Sequence, residues 1–82
     1  MADIIYFGRL GETTGLFSES VNLPPQTRTV KDLRDWMDER FDQTGIFLAE
    51  TVRVALNSEI VTDTHEVSDR DEIAFMPPVG GG

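Results

Sequence analysis

The chain has no cysteine and only one histidine, His65. Without cysteine there are no disulfides, thiolate metal sites or cysteine nucleophiles. With a lone histidine there is no histidine cluster for zinc, so no metal is expected. A serine nucleophile would have only His65 as its base, and no G-x-S-x-G turn surrounds any serine. Lysine chemistry has a single candidate, Lys31. Basic residues are scarce overall: fifteen acids stand against seven bases, a formal net charge of −8. Such a surface repels phosphate backbones, which excludes nucleic acid as a partner. No apolar run approaches the roughly 18 residues of a membrane span, and the N-terminus lacks the basic-then-apolar pattern of a signal peptide. A cytoplasmic location with no membrane partner is expected. The adjacent acids Asp38/Glu39 and Asp71/Glu72 read as solvated surface groups, since neighbours on a strand point to opposite faces. The side chains do not spell an enzyme.

What remains is the pattern of a small domain. Eighty-two residues make one core and bury only about 60% of the surface exposed when unfolded, so a deep enclosed active site is not expected. Residues 3–10 (DIIYFGRL) are rich in β-branched and aromatic types and predict a strand. Gly11 and Gly15 punctuate a loop, residues 20–23 (SVNL) predict a second strand, and Pro24-Pro25 stops it. Thr29 is the expected N-cap of a helix, with Asp32 three residues on in a capping-box placement. Val30, Leu33, Trp36, Met37 and Phe41 follow at helical spacing and read as core, and Gly45 ends the helical region.

Residues 52–56 (VRVAL) alternate, with Val52, Val54 and Leu56 inward and Arg53 and Ala55 outward. Asn57-Ser58 predicts a tight turn into a strand at 59–62, and after a polar stretch the last strand is 73–76. The order β-β-α-β-β-β predicts an α+β fold: a mixed sheet of four to five strands packed on one main helix. Its first and last strands would lie parallel in the centre, as in the β-grasp, or ubiquitin-like, arrangement. In this reading 1–76 form the domain and 77–82 an extended C-terminal tail. If Ile4 and Tyr6 face the helix, Ile5 and Phe7 face away; likewise Ile73 and Phe75 point in, Ala74 and Met76 out. Phe7, Met76 and Ile60 then predict a partner-binding patch near the tail.

The tail differs from everything before it. Pro77 and Pro78 favour an extended exit from the sheet. Val79 follows, then Gly80, Gly81 and Gly82, whose lack of side chains suits a narrow channel. Six extended residues reach about 20 Å. A terminal carboxylate is a poor electrophile, so its chemistry requires activation, for instance as an acyl-adenylate made by a partner. The activated group then takes sulfur to become a thiocarboxylate, or joins an amine.

Residues 71–82 (DEIAFMPPVGGG) resemble the D-E-x-A-F-x-P-P-V-x-G-G ending of the molybdopterin synthase small-subunit family. Tyr6-Phe7-Gly8-Arg9 with Glu12 and Gly15 is similar to that family's opening strand and loop, and Ala55-Leu56-Asn57 to its Ala-Val-Asn. Arg70 stands where the family usually has glycine; if that turn requires positive φ, arginine costs about 1 kcal/mol there. The resemblance implies a ubiquitin-like sulfur carrier of molybdenum cofactor biosynthesis that binds no cofactor of its own. An E1-like enzyme would adenylate Gly82 with ATP, and a sulfur donor would convert it to the thiocarboxylate. Pro77, Pro78, Val79, Gly80 and Gly81 would enter the large subunit, where sulfur passes to cyclic pyranopterin monophosphate. Catalytic side chains would belong to that large subunit, in an assembly of two small and two large subunits. Two alternatives share the fold: a ubiquitin-like modifier conjugated through Gly82, and a thiamine-pathway sulfur carrier. The Pro-Pro-Val spacing favours the molybdopterin family over the thiamine one.

Overall fold

The computed structural model describes residues 1–41 and 45–77. Strand β1 (Ala2–Tyr6) pairs in parallel with a strand from the far end of the sequence, Glu72–Met76, with Ile4 against Ile73 and Tyr6 against Phe75. Between them in sequence lie helix α1 (Arg9–Thr14), strand β2 (Ser18–Val21), helix α2 (Val30–Arg40), a 3-10 turn (Ile46–Leu48), and strands β3 (Arg53–Leu56) and β4 (Glu59–Val61). The C-terminal strand is therefore β5, and the sheet order is β2-β1-β5-β3-β4. Only the central β1–β5 pair is parallel, as the crossover through α2 requires. The expected α+β frame of five strands and one main helix is present.

Helix α1 departs from the sequence reading, which carried the first strand through Leu10. The strand stops at Tyr6 because Gly8 adopts φ 55, ψ −130, a combination that L side chains rarely reach. Phe7 and Gly8 then offer their carbonyls to the N–H groups of Leu10 and Gly11 at 3.1 and 3.0 Å, and Leu10 turns into the core. The second strand likewise runs from Ser18 to Val21 rather than 20–23, because the Phe17 carbonyl already accepts from Tyr6 N–H.

Helix α2 begins as expected. Thr29 accepts from the Asp32 N–H, and the Asp32 carboxylate accepts from the Thr29 and Arg28 N–H groups, closing the capping box. Those backbone donors, Arg28 first, hold the Asp32 carboxyl below the usual carboxylate range. Val30, Leu33 and Met37 are fully buried, whereas Trp36 and Phe41 pack only partly against the core. Trp36 lies at the edge of the stripe, where the Arg40 guanidinium sits 4.6 Å from its ring centroid. The helix itself ends at Arg40, and Gly45 instead opens the 3-10 turn. That turn delivers Phe47, which meets Phe75 edge-on at 5.1 Å and Tyr6 at 6.2 Å in the core.

Two polar devices tie the loops to this core. Arg34, only 7% exposed, donates to the carbonyls of Phe47, Ala49 and Val52 at 2.9, 3.1 and 2.6 Å and to Asp63 at 2.9 Å. The polar stretch after β4 meanwhile crosses the start of α2: His65 and Asp63 carbonyls accept from Val30 and Lys31 N–H, and Val67 is buried beneath. Arg70 in this stretch carries no backbone strain. Among the described residues, the non-glycines with positive φ are Asn57 and Ser58, the expected tight turn, so glycine is not required at Arg70. Asn57 also donates to Asp71 and accepts from the Glu72 N–H, locking that turn to the start of β5.

The second device joins three elements. Tyr6 donates its hydroxyl to Glu19, and Arg40 donates to both Glu19 oxygens at 2.8 and 3.1 Å. Burial, then the Glu19 hydrogen bond and charge, push the Tyr6 phenol well above its ordinary value. Burial alone would also raise Glu19, but hydrogen bonds from Arg40 and Tyr6 outweigh it and hold the carboxyl below the usual range.

Removing Arg34 orphans three carbonyls, so Arg34→Leu is expected to destabilise the domain by about 3 kcal/mol, or roughly 12 °C or more in a thermal melt. Arg34→Lys is not expected to restore it, because an ammonium cannot span that fork. The lowered Glu19 carboxyl stabilises the fold at every pH above its unfolded value, about 4.3, and loses that contribution as pH falls through the lower folded value. Glu19→Gln is therefore expected to lower the melting temperature at neutral pH and to flatten its fall below about pH 4.3. An acid profile identical to the unaltered chain's would show that Glu19 does not set it.

Candidate functional site

The outer face of the sheet, opposite α2, is where the expected patch lies. Pairing aligns Ile5, Ala74, Ala55 and Ile60 in one row across β1, β5, β3 and β4. Side chains alternate along each strand, so these residues share the face that Ile4, Tyr6, Ile73 and Phe75 do not. Two alanines between two isoleucines leave a trough. The result is a shallow hollow of about 330 Å³ lined by Ile5, Phe7, Ala55, Ser58, Ile60, Glu72, Ala74 and Met76. Ala55 points outward as expected yet is 7% exposed, because its neighbours in the row cover so small a side chain. The large members stay open: Phe7 is 48% and Ile60 61% exposed.

The structure thus brings Phe7, Ile60 and Met76 together around one hollow and sets Pro77 at its end. Pro77 is half-buried, directly after the last residue of β5. Pro78, Val79, Gly80, Gly81 and Gly82 lie outside the described residues. The patch was short of Ile5, Ala55 and Ala74, all of which the period-two alternation places on the outer face. Gly8 was also missed as a contact of the tail. A Cβ built on it would come 3.0 Å from the Pro77 Cγ, a proximity that only the β1–β5 register reveals.

Nothing in the hollow forms a nucleophile and base pair. Its polar lining residues are Ser58 and Glu72; the others are apolar. A smaller hollow of about 160 Å³ flanks α2, lined by Gln26, Thr27, Asp32, Asp35, Trp36 and Glu39. Asp32 there is committed to the helix cap, and the other acids face solvent. Among the described residues no helix is long and apolar enough to cross a membrane.

Comparison with known proteins agrees with this frame. A model of the ThiS family matches residues 4–82. The molybdopterin synthase sulfur carrier subunit of Escherichia coli (strain K12) is 30% identical over 83 residues, 100% of both chains. That of Arabidopsis thaliana is 34% identical over 79 residues, 96% of this chain and 80% of the other. Among solved structures, SAMP1 from Haloferax volcanii superposes with a TM-score of 0.78 at 25% identity, covering 99% of this chain and 98% of that one. The five-stranded mixed sheet on its helix is the ubiquitin-like β-grasp, and the match from the first strand to the final glycine shows that this chain belongs to the ThiS family.

Proposed function

We propose that the chain is the sulfur carrier subunit of a molybdopterin synthase, with Gly82 as its working group. One observation carries the reading: relatives named for that role align with this chain essentially end to end, and the family match runs through Gly82. Chemistry at the terminus also accounts for a chain with no cysteine, because the sulfur rides on the backbone. The ionised carboxylate becomes reactive once an E1-like partner uses ATP to form the acyl-adenylate. Sulfide-level sulfur (HS⁻) delivered by a donor protein then attacks the acyl carbon and expels AMP, leaving a thiocarboxylate at Gly82. In the cytoplasm, the tail from Pro77 to Gly82 enters the large subunit, which supplies the catalytic side chains, and sulfur passes to cyclic pyranopterin monophosphate. The apolar hollow around Phe7, Ile60 and Met76 docks that subunit. A second reading, conjugation of Gly82 to protein amines, draws on the likeness to SAMP1, a small archaeal modifier protein. The adenylation step is common to both.

Co-expression with an adenylating partner and a sulfur donor, followed by intact-mass analysis, separates these readings. The carrier reading expects a chain in which one terminal oxygen is replaced by sulfur. Conjugation expects ladders of heavier adducts linked through Gly82. A stable extension beyond Gly82 is expected to abolish either product while leaving the melting temperature unchanged; sulfur transfer by the extended chain would sink the assignment.

Docking is tested by Phe7→Asp, which places a charge beside the apolar hollow. Affinity for the large subunit is expected to fall by about 2 kcal/mol or more, roughly thirtyfold in Kd, by calorimetry. Because Phe7 faces away from the core and is 48% exposed, the isolated domain's melt is expected to move little. Unchanged affinity would remove Phe7 from the interface.

A further inference from the structure

The smaller hollow, about 160 Å³, lies on the α2 side of the molecule, away from the apolar trough. Asp32, Asp35, Trp36 and Glu39 line it at i, i+3, i+4 and i+7, one face of the helix, and Gln26 and Thr27 close it from the preceding loop. Its acceptors are largely uncommitted. Both cap bonds to the Asp32 carboxylate fall on Oδ2, which leaves Oδ1. Asp35 meets Lys31 through Oδ2 at 3.5 Å, with both side chains more than half exposed, a pairing that contributes little. Glu39 enters none of the ion pairs among the described residues. Lys31 and Arg40, the latter held by both Glu19 oxygens, do not line the hollow. Thr27 supplies an independent sign. It is only 7% exposed, and its N–H is fixed to the Pro24 carbonyl at 2.9 Å. Its hydroxyl has no hydrogen-bond partner among the described residues, although every buried side-chain oxygen there has one. The hydroxyl therefore reaches open space, and the space that Thr27 borders is this hollow.

We propose that this hollow seats one arginine side chain of a protein partner that approaches from the α2 side. Its walls offer carboxylate and hydroxyl oxygens and no cation, so the ligand they complement is a cationic donor. Among the described residues no three carboxylates come together closely enough to hold a metal ion, so the cation that fits is extended rather than a point charge. A guanidinium is planar, carries five N–H donors and meets several separated acceptors at once. Trp36 gives it a ring to stack on, as the Arg40 guanidinium already does at 4.6 Å from the centroid. A volume of about 160 Å³ admits the end of one side chain, and the net charge of −8 draws basic surfaces towards it. Such a contact leaves the trough and the end of β5 uncovered, so both sides of the domain can be engaged together. The inference does not depend on the chemistry at the C-terminus.

The test is a titration of the full chain with Nα-acetylarginine N-methylamide in about 0.15 M salt. It is read from backbone amide shifts and from the fluorescence of Trp36, the one tryptophan. Saturable binding is expected with a Kd of about 1 mM and with shifts centred on Thr27, Asp35, Trp36 and Glu39. The lysine counterpart is expected to bind more weakly. Glu39→Gln, a change on the exposed helix surface, is expected to raise Kd about threefold, and Thr27→Val to raise it with the melting temperature held. Glu59→Gln, on β4 and outside the hollow, is expected to leave Kd unchanged. Lysine binding as tight as arginine would show a response to charge alone and overturn the proposal. Calcium or spermidine giving the same localised shifts at lower concentration would assign the hollow to a free cation and overturn it too. Shifts that do not saturate, or a Glu39→Gln chain with unaltered affinity, would reduce the hollow to a solvated acidic face. That last reading survives a Thr27→Val chain that fails to fold, so the proposal stays open to refutation.

Discussion

The parallel pairing of β1 with β5 is the constraint on which the rest of the structure depends. It joins the two ends of the described chain, so nearly the whole sequence must be looped before it can form, a contact with a high entropic cost. Its register is tightly specified. A slip of β1 by one residue would bring Ile5 and Phe7 into the core and turn Ile4 and Tyr6 to solvent. The correct register does two things at once: it stacks Tyr6 against Phe75 in the aromatic cluster, and it assembles the outer trough. Continued beyond the strands, the same register sets Pro77 over Gly8.

A chain this small has little apolar surface to bury, and its loops are held chiefly by polar groups reaching into the core. Arg34 satisfies three carbonyls of the segment between α2 and β3, where a hydrophobic side chain would leave them unpaired. Glu19 joins the edge strand β2 to Tyr6 and to the end of α2. Asn57 closes the β3–β4 turn onto β5. Among the described residues every buried side-chain nitrogen or oxygen has a hydrogen-bond partner, as such an economy demands. The strand that carries the tail is therefore fixed on both sides and at its start.

Function in the proposed reading is divided between that frame and its partners. The domain offers an open apolar face and a terminus without side chains, and the reactive groups come from elsewhere. Size explains the division, since a single shallow layer of core cannot enclose a dry catalytic pocket. Two alanines at the middle of the outer face make room for a partner's side chains. The isoleucines, Phe7 and Met76 around them supply apolar area next to the point where the tail departs.

Much of this was written in local sequence patterns. Alternation along β1 and β5 assigned both faces, because period two is a property of the extended backbone itself. Thr29 with Asp32 marked the helix start, Asn57-Ser58 the hairpin turn, and the Pro-Pro-Val-Gly ending the candidate terminus; each depends on residues within four of one another. Other features depended on partners far away in sequence. Helix α1 formed where the end of a strand and a loop were expected, because Gly8 breaks β1 and Leu10 finds the core. Nothing in the local sequence marks Arg34; its role comes from the carbonyls of Phe47, Ala49 and Val52 around it. Arg70, suspect beside the family pattern, proved unstrained once its backbone was in view. The sequence by itself determined which face of β1, β3 and β5 is apolar and where α2 begins. Only the tertiary structure decided which loops Arg34 and Glu19 hold and that Gly8 lies under Pro77, because local patterns follow from near neighbours whereas those contacts exist only after β1 and β5 have met in register.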